Sequence, residues 1–218
     1  MRELVVILVE RYRESWVDKY LRFSIPVSFI IFCFSIFVVQ PLAIDFANEA
    51  ASNPVGDIIL SNTPVFDVGI YFVYGMFLLV GFITLLCLHK PQRIPFVLHS
   101  LTLFVLIRSV FVSLTHIGAF TTQAQSDFGP AITRAFFGAD QFFSGHAGAP
   151  FLMALIFWHV PALRYIFLTW SVFFSVVVLL GHLHYTIDVA SAFFITFGIY
   201  HIALWLFPRE RALFFSPK

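Results

Sequence analysis

One segment of the sequence brings together residues that could bind a phosphate group. It contains Asp140, followed by Ser144, Gly145 and His146 at the start of an apolar run. These small polar residues predict the start of a helix, where free backbone N–H groups and the positive end of the helix dipole attract anions. The imidazole of His146 could then exchange a proton with a bound phosphate ester.

A second segment could supply a nucleophile. It contains His182, His184, Tyr185 and Asp188 at the start of another apolar run. Because residues four apart share a helix face, the Asp188 carboxylate can accept the imidazole N–H of His184. This contact would fix the tautomer and leave the other ring nitrogen as a nucleophile or base.

Together the two segments predict a phosphoryl-transfer site. One imidazole would attack phosphorus and the other would protonate the leaving oxygen. Arg108 lies within a third apolar run and could neutralise phosphate oxygens. The sequence contains no P-loop and no spacing of His, Cys or carboxylate residues that indicates a metal site. We therefore expect neither a metal nor another cofactor.

Each of these residues also has a purely structural interpretation. His146 could cap a helix, and His184 with Asp188 could form a buried polar pair. Arg108 could extend to the membrane surface or pair with an aspartate. His182 could be a passive side chain at the interface.

Composition decides what kind of scaffold must position these residues. The chain has 218 residues, of which 60% are hydrophobic and 11% are charged, with 13 Lys plus Arg against 12 Asp plus Glu. Soluble domains carry about a quarter charged residues, so an ordinary cytosolic enzyme, a disordered chain and a nucleic-acid binder are all excluded. The sequence predicts a polytopic membrane protein.

Six apolar runs end at charges, Pro or Gly and predict an all-α fold with six transmembrane helices. They are Phe23–Ile44, Val68–Leu88, Ile94–Thr115, Ser144–Val160, Leu163–Leu180 and Tyr185–Phe207. This catalytic domain, residues 23–207, is preceded by residues 1–22 and followed by a cytoplasmic tail, residues 208–218.

The distribution of charge predicts the orientation. With the N-terminus in the cytoplasm, all the outer loops contain only one basic residue, Arg134, whereas the inner side carries the other flanking Lys and Arg residues. Both termini are therefore expected in the cytoplasm, with the two histidine segments on the extracytoplasmic side. Residues 1–22 show helical spacing of apolar residues and predict an amphipathic helix on the inner membrane surface, with a solvated helix as the alternative. Their leading apolar stretch is too short for a secretory signal.

These segments resemble a known family. Phe143-Ser144-Gly145-His146 preceded by Asp140, together with residues 182–189, resembles the paired signature of the sphingomyelin synthase family. That family is a branch of the type-2 phosphatidic acid phosphatase (lipid phosphate phosphatase) superfamily. Residues 63–67 and 107–109 resemble its two further motifs in the same order, so the resemblance extends over residues 60–200.

The resemblance implies an enzyme that moves phosphocholine or phosphoethanolamine from a glycerophospholipid to a lipid alcohol such as ceramide. A phospho-histidine forms on the way and diacylglycerol is released. It implies that His184 is the nucleophile, Asp188 its orienting partner and His146 the acid and base. The implied substrate-binding residues are Arg108, Ser144, Gly145, Asp140, Asp67, His182 and Tyr185.

The sequence departs from these patterns at three positions. Ala139 and Ala147 stand where the family has Cys and Thr, and Val178 stands where the broader lipid phosphatases carry an arginine. A phosphomonoester would lack that arginine as a partner. A lipid phosphohydrolase, phospholipase C-like or phosphatase-like, remains the alternative function, and a non-catalytic lipid-binding scaffold or transporter is the third.

The headgroup, the acceptor and the oligomeric state, including a homo-oligomer, stay open at this stage. On physical grounds we expect a lateral opening between helices, because the lipid tails should remain in the bilayer while the phosphate reaches the site.

Overall fold

The computed structural model describes residues 12, 17–124, 128–129 and 142–216, and every regular element in this part of the chain is a helix. Most of the predicted interfacial helix, residues 1–22, lies outside the described residues, as does Asp140. Those two predictions therefore stay predictions.

Eight helices in the described ranges build the fold. They are α1 (Lys19–Phe34), α2 (Gln40–Glu49), α3 (Gly69–His89), α4 (Ile94–Leu114), α5 (Gly145–Ile156), α6 (Pro161–Leu180), α7 (Thr186–Leu206) and α8 (Pro208–Phe214). A π-helical segment, Ser35–Val39, joins α1 to α2, and short 3₁₀ helices cover Leu60–Asn62 and Pro91–Arg93.

Five of the six predicted spans coincide with helices that are long and apolar enough to cross a membrane. For α3, α4, α6 and α7 the bounds lie within two residues of the prediction, because proline and glycine mark most of these ends locally. The first span is longer than predicted: α1, the π segment and α2 run without a break over Lys19–Glu49. The π segment ends two residues before Pro41, which has no N–H to donate within the helix.

The fourth predicted span, Ser144–Val160, is different in the structure. Its helix α5 contains 12 residues and ends at Ile156, which corresponds to a length of about 18 Å, short of a bilayer core of about 30 Å. Nine of its residues are buried, since α5 packs against α4, α6 and α7. The apolar residues of α5 are therefore buried by other helices. The hydropathy of a sequence does not distinguish such burial from contact with lipid.

The small side chains of α5 allow this close packing. A Cβ on Gly148 would lie 2.8 Å from both the Phe104 ring of α4 and the Thr196 Oγ1 of α7. In addition, the Ser171 hydroxyl of α6 donates a 2.7 Å hydrogen bond to the Ala147 carbonyl. Helix α5 is thus fixed on three sides at its first turn, where His146 lies.

The two ends of the helix bundle hold different groups of residues. At one end, the Arg93 guanidinium lies over the rings of Phe157 and Phe214, and Tyr20 donates a hydrogen bond to Glu210. Residues 208–214, predicted as part of a tail, form α8 in this end and bury Glu210 and Phe214. The opposite end holds the N-termini of α3, α5 and α7 and both histidine segments.

Candidate active site

A backbone hydrogen bond joins the two histidine segments. Ser144 is the N-cap residue of α5, and its hydroxyl accepts a 3.4 Å hydrogen bond from the Ala147 N–H. The Ser144 N–H donates to the Asp188 carbonyl of α7 over 3.2 Å. The predicted helix start at Ser144-Gly145-His146 is therefore present, and it adjoins the start of α7.

The His146 ring is held between two phenylalanines. It stacks on Phe72 of α3, with centroids 3.8 Å apart and planes inclined by 19°, and meets the Phe174 ring of α6 edge-on at 5.3 Å. The ring also hydrogen-bonds the Phe72 backbone, and His184 and Arg108 lie close enough to act on it electrostatically. Only 9% of the His146 surface is exposed, and the contacts with Phe72 and Phe174 fix the plane of its ring.

The contact between His184 and Asp188 differs from the expected one. The structure has the Nδ1 of His184 at 3.7 Å from Oδ2 of Asp188, which is an ion-pair distance but too long for a hydrogen bond. Oδ2 instead accepts the Tyr185 N–H at 2.9 Å, because α7 begins only at Thr186 and Asp188 caps its first turn. His184 thus precedes the helix, and capping, not a shared helix face, brings it to Asp188.

Asp188 has capacity to bind a further donor. Its side chain is fully buried, and its second oxygen, Oδ1, has no hydrogen-bond partner within the described part of the chain. A buried carboxylate of this kind is costly unless a cation or further donors compensate it. The adjacent imidazole, once protonated or phosphorylated, would provide that positive charge.

Arg108 is buried at the site and does not extend to solvent. Only 6% of its surface is exposed, and its Nε donates a 2.8 Å hydrogen bond to the Phe143 carbonyl, directly before the Ser144 cap. A Cβ on Gly145 would come within 3.2 Å of the same Nε. Gly145 therefore lets the guanidinium approach the start of α5, which explains a glycine here.

His182 adopts a backbone conformation that is rare for a residue with a side chain. Its φ is 52°, in the left-handed region, and its Nδ1 lies 2.6 Å from the Thr122 hydroxyl. The ring is buried, and its Nε2 has no partner among the described residues. Strain of this kind is maintained only where surrounding contacts enforce it.

Tyr185 and Asp67 have observable structural contacts. The Tyr185 hydroxyl donates to the Gly118 carbonyl at 2.8 Å and accepts the Val55 N–H at 3.2 Å, which joins two loops. Asp67 is exposed and accepts the Gly69 N–H at 3.2 Å, at the start of α3. Their predicted roles in substrate binding stay predictions.

Asp57 is a site-supporting residue that the sequence did not reveal. Its carboxylate accepts the N–H and the hydroxyl of Thr186 at 2.7 and 2.9 Å, together with the N–H groups of Ile59 and Leu60. Burial alone raises the pKa of Asp57, but these hydrogen bonds outweigh it and bring the pKa below its ordinary value. Asp57 thus anchors the 50–62 loop to the start of α7, 129 residues away.

Among the described residues, no group of three or more His, Cys, Asp or Glu side chains is placed to hold a metal ion. The side chains around the junction of the two histidine segments are those of His146, His184, Asp188 and Arg108, next to the N-termini of α5 and α7.

Comparison with known proteins adds one relationship. Residues 138–204 match the family described as PAP2 superfamily C-terminal. The match covers under a third of the chain and includes both histidine segments. It supports the superfamily to which the sequence motifs pointed, and suggests lipid phosphatase-type chemistry. Neither the curated proteins nor the solved structures contain a match.

Proposed function

We propose that this protein is a membrane phosphotransferase of the sphingomyelin synthase type. It would transfer phosphocholine or phosphoethanolamine from a glycerophospholipid to a lipid alcohol such as ceramide, on the extracytoplasmic side. The observation that carries the proposal is the junction between the two histidine segments. It consists of the 3.2 Å hydrogen bond from Ser144 to Asp188 and the 3.7 Å separation between His184 and Asp188.

The first step forms a phospho-histidine. The Nε2 lone pair of His184 attacks phosphorus, a P–N bond forms, and the P–O bond to diacylglycerol breaks. His146 gives its proton to the departing oxygen, so diacylglycerol leaves as a neutral alcohol. Positive charge that develops on the His184 ring is stabilised by the buried Asp188 carboxylate, which draws closer to Nδ1–H than its present 3.7 Å.

The second step returns the enzyme to its starting state. Neutral His146 removes the proton from the acceptor hydroxyl, whose oxygen attacks phosphorus. A new P–O bond forms, the P–N bond breaks, and the electron pair returns to His184. Arg108, buried beside the start of α5, neutralises phosphate oxygens in both steps.

The distribution of charge supports an extracytoplasmic location of the site. The histidine segments lie at the end of the bundle opposite to Arg93, Arg164 and Arg209. Basic residues that flank membrane helices are retained in the cytoplasm, which supports an extracytoplasmic site.

The second candidate is a lipid phosphohydrolase with the same residues, in which water replaces the lipid alcohol. The family match favours phosphatase-type chemistry. Position 178, however, is a fully buried valine in the apolar core, so an arginine is absent there. A phosphodiester headgroup, which carries one negative charge fewer than a phosphomonoester, therefore suits this site better.

The test is a lipid-product assay with purified protein in mixed micelles. Phosphatidylcholine and phosphatidylethanolamine are supplied with and without ceramide. A phosphosphingolipid that forms only with ceramide supports the transferase, whereas diacylglycerol and free phosphoheadgroup at a ceramide-independent rate support the hydrolase.

Three variants make the assay specific. We expect His184→Ala and His146→Ala each to abolish turnover. His201→Ala is the matched control, because His201 is exposed on α7 and contacts Phe197 of its own helix. Normal turnover by a folded His184→Ala or His146→Ala protein would remove that residue from the mechanism.

A further inference from the structure

A groove separates two membrane-spanning helices next to the site. It lies between α3 and α6, has a volume of about 710 Å³, and is called the α3/α6 groove below. Its walls include Tyr71, Gly75 and Leu78 on α3 and Ile166, Thr169 and Phe173 on α6. Among the described residues, no charged side chain lines the groove, so it does not suit a headgroup.

The groove reaches the candidate active site through one layer of aromatic rings. A Cβ on Gly75, in the groove wall, would lie 3.1 Å from the Phe174 ring. Phe174 in turn contacts the His146 ring at 5.3 Å, and Phe173, also in the wall, contacts Phe174 at 5.5 Å. A molecule in the groove therefore lies one phenylalanine away from the predicted acid and base.

Position in the bilayer limits what can fill the groove. Both helices are long and apolar enough to cross a membrane, and wall residue Leu78 is 66% exposed. Surface of this kind on a membrane helix contacts lipid chains. A methylene group is close in size to a water molecule, which takes about 30 Å³ in the liquid. The groove thus holds a chain of roughly twenty methylene groups.

A helix of a second copy or of another protein fits less well. With side chains it is about 10–12 Å across and advances about 5.4 Å per turn, so one turn fills roughly 400–600 Å³. The groove would accept fewer than two such turns.

We propose that the α3/α6 groove binds an acyl chain of the phospholipid donor while its phosphate lies between His146 and His184. This assignment rests on the proposed function, because it concerns the tail of the lipid that His184 attacks. It identifies the helices that frame the lateral opening, and it predicts that donor preference depends on acyl-chain length.

The first test is independent of turnover. Phosphatidylcholine with a diazirine near the end of one acyl chain is reconstituted with the protein in nanodiscs and photoactivated, and labelled peptides are identified by mass spectrometry. We expect label to concentrate on residues 70–78 and 165–173. Label spread evenly over lipid-facing positions, including exposed Phe194 of α7, would overturn the proposal.

A matched pair of variants sharpens this test. Leu78→Trp fills the groove. Val80→Trp adds the same ring at a similarly exposed position, since Val80 is 53% exposed and Leu78 is 66% exposed, but it lies about 200° around the helix from Leu78. We expect Leu78→Trp to reduce groove labelling about tenfold, because excluding two methylenes costs about one decade in affinity. Val80→Trp should retain it. Equal labelling of the two would contradict the assignment, and Thr169→Trp on α6 replaces Leu78→Trp if that variant does not fold.

The second test uses donor lipids of different chain length. With a long-chain donor, Leu78→Trp should raise KM about tenfold at unchanged kcat, whereas a short-chain donor should be turned over as by the wild type. A KM change that is equal for both donors would refute acyl-chain binding. If the wild type turns over neither donor, the proposed function fails, while the labelling still decides whether the groove holds a chain.

Discussion

Asp188 has an observed capping role and a proposed catalytic role, which a single substitution can separate. Its Oδ2 caps α7 by accepting the Tyr185 N–H at 2.9 Å, and its negative charge lies 3.7 Å from the His184 ring. Asp188→Asn preserves an oxygen that can accept the same N–H but removes the charge. We therefore expect the fold to survive the substitution while phosphoryl transfer does not.

The magnitude follows from the ion-pair distance. Two unit charges about 4 Å apart interact by about 4 kcal/mol at an effective dielectric constant of about 20. If that interaction forms only as His184 becomes cationic, its loss lowers kcat roughly 1,000-fold. Because the asparagine oxygen still caps α7, Asp188→Asn should change the free energy of unfolding by less than about 1.5 kcal/mol relative to the wild type.

The assay combines kinetics with thermal unfolding. Initial rates of diacylglycerol release from phosphatidylcholine are measured for the wild type, Asp188→Asn and Asp188→Ala, and the melting of each is followed by circular dichroism. Asp188→Ala should lose both activity and stability, because it removes the cap as well as the charge. Near-normal rates in a folded Asp188→Asn protein would refute the electrostatic role, and unfolding of Asp188→Asn would show that the negative charge itself supports the helix start.

Three other substitutions test the support of the site. Arg108→Lys should lower kcat/KM roughly 10–100-fold with little change in melting, because an ammonium cannot reproduce the guanidinium fork; unchanged kinetics would contradict phosphate binding. Gly148→Ala should destabilise the fold by about 1–3 kcal/mol in thermal melts, since its Cβ would lie 2.8 Å from Phe104, and unaltered melting would argue against this packing. Burial raises the pKa of Asp57, but its hydrogen bonds outweigh burial and hold the pKa below its ordinary value. The ionised carboxylate therefore stabilises the folded protein at neutral pH, and this stabilisation is lost as the pH falls through the lowered pKa. Asp57→Asn should therefore speed amide hydrogen exchange around Thr186 at pH 7, and the exchange protection at Thr186 should depend less on acid pH than in the wild type. The same dependence of protection on pH in both proteins would count against this anchor.

Most helix bounds could be predicted because their signals are local. Hydropathy and the positions of proline placed α4 and α6 within two residues of their observed ends. The same signals placed the end of α5 at Val160, four residues beyond the observed end at Ile156, and six spans are not confirmed, since an apolar stretch buried by protein and one in lipid have the same hydropathy. They also made the first span too short, Phe23–Ile44 against the observed Lys19–Glu49, because the charged residues Arg22 and Asp45, where the prediction stopped, do not interrupt the backbone hydrogen bonds of a helix.

The local geometry of the candidate site could be predicted in part, but its long-range contacts could not. The cap at Ser144 and the proximity of His184 to Asp188 follow from short spacings. The contact of Asp57 with Thr186 joins positions 129 apart, and that of Arg108 with Phe143 joins positions 35 apart. Such pairings depend on how helices assemble, and hydropathy and spacing in one sequence contain no information about them.

Detection of the covalent intermediate tests the central claim most directly. Purified protein is mixed with phosphatidylcholine without acceptor, quenched within a single turnover at neutral to alkaline pH, and digested for mass spectrometry. The proposed mechanism predicts a phosphocholine adduct on His184 that forms as fast as diacylglycerol and is absent from His184→Ala. Diacylglycerol release with no adduct, or an adduct on His146 instead, would contradict it.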